Sequence, residues 1–115
     1  MAIIVKTNAP RAMVSRIIHM IDDEIIDTWF YDDDKDFTHV GQWKDKAWFT
    51  PEYEECQVKF ALLGRKNVNM TLMEYSIYHG RFVELLLHHF PTEINGLVVT
   101  MPLEDQSDCS NITFE

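Results

Sequence analysis

The stretch "AIIVKTNAPRAMVSRIIHMID", residues 2–22, changes its hydrophobic period partway along, and that change decides the fold. "AIIVK" is a short run rich in β-branched residues, bounded by the turn-like "TNAP", and reads as a buried strand. Beyond Pro10 the apolar residues recur at steps of three and four, so that Met13, Val14, Ile17, Ile18 and Ile21 make one stripe of a helix. Pro10 suits the first helical turn, with Thr7 or Asn8 as its cap. Asp22, Asp23 and Glu24 then place negative charge against the negative end of the helix dipole, which is where the helix is expected to stop.

The same reasoning extends along the chain. "IIDTWFY" at 25–31 is β-branched and aromatic and reads as a strand with Ile26, Thr28 and Phe30 on one face and Ile25, Asp27, Trp29 and Tyr31 on the other. The acidic residues after it form a turn. "KAWFT" and "ECQVKFALL" read as two further strands joined around Pro51, the second with Cys56, Val58, Phe60 and Leu62 facing one way. Thr71-Leu72-Met73-Glu74 is a capping box, with Met70 and Tyr75 placed as its hydrophobic staple. It opens a second helix whose stripe runs Met73, Tyr75, Tyr78, Phe82, Leu85, Leu86 and His89 and which Phe90-Pro91 ends. Asn95-Gly96 turns the chain into "LVVTM", a last strand. The order β-α-β-β-β-α-β describes a two-layer α+β sandwich, a mostly antiparallel sheet of about five strands with two helices on one face. Residues 1–103 are expected to form this single domain, and the acidic residues 104–115 a partly mobile tail.

Composition excludes several functions. Nineteen acidic against ten basic residues give a net charge of -9, a field that repels phosphate backbones and anionic lipid, so no direct nucleic-acid or membrane partner is expected. No apolar stretch approaches the ~20 residues that span a bilayer. Cys56 and Cys109 cannot make a disulfide framework, and with no basic and apolar leader the expected setting is the cytoplasm. The Asn111-Ile112-Thr113 sequon carries no meaning there. Four glycines leave no room for a phosphate-binding glycine motif, and no cofactor is expected.

The candidate functional surface is "DDDKDFTHVGQW", residues 32–43. Asp32, Asp34 and Asp36 alternate like the first ligands of a calcium loop, but Phe37 stands where that loop needs glycine and Trp43 where it needs glutamate. No metal is assigned. Aromatic residues crowd around these acids, and with Phe30 inward, Trp29 and Tyr31 would lie on the open sheet face. An aromatic patch rimmed by acids is the composition of a protein interface, which nominates Trp29, Tyr31, Asp32, Asp33, Asp34, Asp36 and Trp43 as partner-binding residues. The leading reading is a small, acidic, non-enzymatic interaction protein of inhibitor, immunity or regulatory type that binds a basic protein.

The alternative is a small enzyme or a ligand- or metal-binding domain using Asp36, His39 and His79, which requires the acidic loop to fold over the second helix. His88 and His89 close that helix, where they suit its dipole. The third reading is a homodimer through the open sheet face. Gly80, a mid-helix glycine, is assigned to close approach of a neighbouring strand. Cys56 reads as buried and inert, while Ser15 and Ser76 lack the sharp turn of a nucleophile elbow.

Overall fold

A computed structural model describes residues 2–40, 47–64 and 71–100. The elements are β1 (Ala2–Lys6), α1 (Pro10–Asp22), β2 (Trp29–Tyr31), β3 (Phe37–His39), β4 (Ala47–Glu54), β5 (Gln57–Gly64), α2 (Leu72–His89) and β6 (Gly96–Val99). They form the expected α+β sandwich. The sheet has six strands in the order β2-β3-β4-β5-β1-β6, and every pairing is antiparallel. Trp43, Cys109 and the acidic tail lie outside the described residues.

Register places the core. Ile3 opposes Phe60, Val5 opposes Val58 and Phe49 opposes Leu62, all buried, which puts one apolar row from three strands on a single face. Met13, Val14 and Ile17 of α1 and Tyr75, Tyr78, Phe82, Leu85 and Leu86 of α2 close over that row as one cluster. The capping box of α2 makes both of its bonds: Glu74 N–H donates to Thr71 Oγ1 at 3.1 Å, and Thr71 N–H to Glu74 Oε1 at 3.0 Å. Met73 departs from the expected stripe and is 71% exposed, because it sits opposite the buried side of the helix.

The segment 25–40 differs from expectation. Glu24 adopts φ 64° and closes α1 in a Schellman motif, with Glu24 N–H bonded to Ile21 O and Ile25 N–H to Met20 O. Residues 25–28 are used in leaving the helix, so the strand begins at Trp29. The acids form only the turn, Asp32–Asp36, and a strand absent from the sequence reading, β3, follows at once. Tyr31 opposes Phe37, which opposes Phe49, and the last two are fully buried, so Trp29 and Tyr31 share the helix-facing side. The expected facing is inverted. Trp29, 3% exposed, packs its indole against Tyr78 at 5.2 Å and Phe82 at 5.0 Å, a burial of apolar area that the smaller Phe30 cannot match.

Pro51 does not join two strands. It lies inside β4 opposite Phe60, in a stretch that has no registered partner in β3, and an edge of this kind tolerates proline. The reversal comes at Glu55 and Cys56, the latter exposed with φ 59°, which corrects its assignment as a buried strand residue. Gly80 is also reassigned: a Cβ placed there meets nothing within 4 Å among the described residues, so no strand approaches it.

A buried tyrosine of α2 helps to tie the β2–β3 hairpin to β4. Only Phe37 and Phe49 are in register between β3 and β4, and the Tyr78 hydroxyl occupies the splay beside them. It donates to Ala47 O, accepts from His39 N–H at 3.1 Å and lies 3.1 Å from Thr38 Oγ1. Removing the hydroxyl takes its acceptor from the half-buried His39 N–H. Tyr78→Phe should therefore cost about 1–3 kcal/mol in urea unfolding and speed hydrogen exchange at the His39 amide. Unchanged stability and exchange would show that the tyrosine contributes only its ring.

Candidate functional site

Two features meet on the connection that leaves α1. One is acidic: Asp22, Asp23, Glu24 and Asp27 are exposed along it, and Asp33 and Asp34 are exposed in the β2–β3 turn. Tyr31, half-buried against the core, joins the two runs by donating its hydroxyl to Asp22 Oδ1 at 2.6 Å, and that bond to a carboxylate holds the phenol above its ordinary pKa. Lys35 Nζ lies over the same ring, 4.8 Å from its centroid.

The second feature is a cleft of about 420 Å³ between this connection and the last turns of α2. Ile26, Trp29 and Leu85 form its apolar floor, all less than 7% exposed. Asp27, Arg81, Glu84 and the imidazoles of His39, His88 and His89 supply its polar walls. Burial lowers the His39 and His89 pKa values below the ordinary histidine range, with Arg81 adding to the effect at His39 and His88 at His89. The His39 ring stands edge-on to the floor, 5.1 Å from the Trp29 indole.

The nominated residues separate. Trp29 is core and reaches solvent only as part of the cleft floor, Tyr31 borders the acidic runs, and Asp33 and Asp34 are open to solvent. Asp32 shapes the turn, since its Oδ1 accepts the N–H groups of Asp34 and Asp36, each at 3.0 Å. Asp36 turns to Thr50, whose hydroxyl donates to it at 2.9 Å, and burial raises its carboxyl pKa. The carboxylates of Asp32, Asp34 and Asp36 approach within 4.8 Å of one another, the one such grouping among the described residues, and the turn geometry accounts for it. Trp43 lies outside those residues.

Asp36, His39 and His79 are not brought together. His39 borders the cleft, while His79 is sealed between Tyr75 and Phe49, ring centroids 3.9 and 5.0 Å away. The residues the sequence did not reveal are Asp27, Arg81 and Glu84. Glu84 and His88 stand four apart and so share a helix face, but nothing local announces that residues 25–28 face them.

His79 has a consequence for stability instead. Its Nδ1 lies 2.9 Å from Tyr75 O, so it carries the proton, and Nε2 is a buried acceptor without a partner among the described residues. Burial pushes its pKa down to about 4 from 6.5. The unfolded chain thus takes up a proton that the folded one refuses, and the stability present above pH 6.5 is lost as pH falls towards 4, by up to about 3 kcal/mol. Chemical denaturation of His79→Leu at pH 7 and pH 5 should give a smaller loss than wild type, and an identical loss would place the effect elsewhere.

No protein-family model, curated protein or solved structure gives a significant match to this chain, so its functional reading rests on the geometry above.

Proposed function

We propose that the chain is a small acidic interaction protein, of inhibitor, immunity or regulatory type, that binds a basic protein partner through the surface around residues 22–34. The observation that carries this is the Tyr31–Asp22 hydrogen bond, which merges two acidic runs separate in sequence into one surface beside a half-buried aromatic ring. Within a chain of net charge -9, such a surface steers a basic partner and leaves affinity to the apolar groups next to it. The contact set is Tyr31, Asp32, Asp33 and Asp34 with the acids of the α1–β2 connection, and Trp29 supports it from beneath.

The enzyme reading has less support, since its three residues do not converge. A homodimer through the outer sheet face is a second mode of association, favoured by the exposure of Leu63 at 40% and Val98 at 48%. No helix among the described residues is long and apolar enough to cross a membrane. The exposed free thiol of Cys56 favours a reducing compartment such as the cytoplasm.

The test is capture from an extract of the source cells on immobilised protein at low and high salt, followed by association kinetics. A basic protein should be retained at low salt and released at high salt. Replacing Asp32, Asp33 and Asp34 by Asn should slow its association by roughly tenfold, with little change in stability after allowance for the turn bonds of Asp32. An association rate indifferent to salt and to these substitutions would end the proposal.

A further inference from the structure

Resting on the acidic-surface reading, we propose that the cleft beside α2 is an anchor pocket for one arginine side chain of the partner. The cleft is continuous with the acidic surface, because Ile25, Ile26, Asp27 and Thr28 form its wall and belong to the connection that carries Asp22, Asp23 and Glu24. Its volume of about 420 Å³ admits a single long side chain with room to spare. The floor of Ile26, Trp29 and Leu85 matches the aliphatic stem of arginine, and Asp27 and Glu84 supply carboxylates for the head. α2 ends beside the cleft, so the negative end of its dipole also favours a cation.

Arginine fits better than lysine. A planar guanidinium can lie against imidazole and still reach two carboxylates, whereas an ammonium is a compact and strongly hydrated point charge. Arg81 already places a guanidinium nitrogen 3.5 Å from Glu84, and with side chains 55% and 67% exposed, this pair is weak enough to exchange for an incoming partner. The other charged or titratable groups facing the cleft are Asp27, His39, His88 and His89. Neutral imidazoles accept hydrogen bonds from a guanidinium, whereas protonated ones repel it. Occupancy should therefore weaken only as pH falls below 6.5, the ordinary histidine value, since burial delays protonation of His39 and His89, and an anion in the same cleft would do the reverse.

The full chain, isotope-labelled and assigned, should be titrated with N-acetyl-arginine methylamide and with its neutral citrulline counterpart while the Trp29 indole N–H and the Ile25 and Leu85 methyls are followed by NMR. These signals should move with arginine and hardly with citrulline. Asp27→Asn with Glu84→Gln should weaken the response by roughly tenfold, at ~2–5-fold per exposed carboxylate. Equal shifts with citrulline, shifts confined to Asp32–Asp34, no shifts, or binding that strengthens at pH 5.5 would each overturn the pocket. Salt-dependent capture of a basic protein alongside any of those results would leave the acidic surface standing alone. Arginine binding in the cleft without such capture would instead remove the acidic surface as the steering element.

Discussion

One phenylalanine ties the layers of this domain together. The Phe82 ring on α2 lies 5.0 Å from Trp29 of β2, 6.1 Å from Phe37 of β3 and 4.8 Å from both Phe49 of β4 and Phe60 of β5. Four consecutive strands therefore share a contact that none of them could make alone. This matters most for the β2–β3 hairpin, which has three residues per strand and a single registered pair to β4. A two-stranded ribbon of that length is marginal by itself, so its position depends on the rings it inserts under α2. The facing of β2 follows: the strand must present Trp29 to Phe82, Phe30 turns outward, and Trp29 becomes the floor of the cleft.

The parts of the fold legible in the sequence are those whose signal is local. β1 and β5 declare themselves by composition and alternation, α1 by its stripe, and α2 by a capping box that makes both its bonds. What was not legible depended on non-local packing. The alternation of 25–31 is compatible with either facing, and only the demand of Phe82 for a large partner selects one. β3 is too short and too close to the acids to show a period of its own, and it exists because Tyr31 and Phe49 flank Phe37. Glu24 at φ 64° and Cys56 at φ 59° both occupy left-handed positions that glycine usually marks, so neither turn carried its usual signature.

The candidate site was half legible for the same reason. Acids in sequence announce an acidic surface, and the turn at 32–36 sits where they do. Joining that turn to Asp22 needs a tyrosine hydroxyl reaching across from the neighbouring strand. The cleft needs two segments more than fifty residues apart to face one another, and neither Asp27 nor Glu84 has a local pattern pointing at the other. His79 has the core duty usual for a single helix histidine: it is neutral, sealed and structural, and takes no part in the cleft.

Gathering negative charge on one surface of a chain of net charge -9 works against the compact state, because like charges repel more strongly when brought together. The fold offsets this locally: Tyr31 donates to Asp22, Lys35 lies over the same ring, and Asp32 spends an oxygen on two backbone N–H groups. These contacts also give the acidic turn one conformation and leave Asp33 and Asp34 free in solvent. Charge needed for solubility alone would function equally well on a segment without fixed geometry. Fixing the turn lowers the entropy lost when a partner orders it, and that gain is realised only if something binds there.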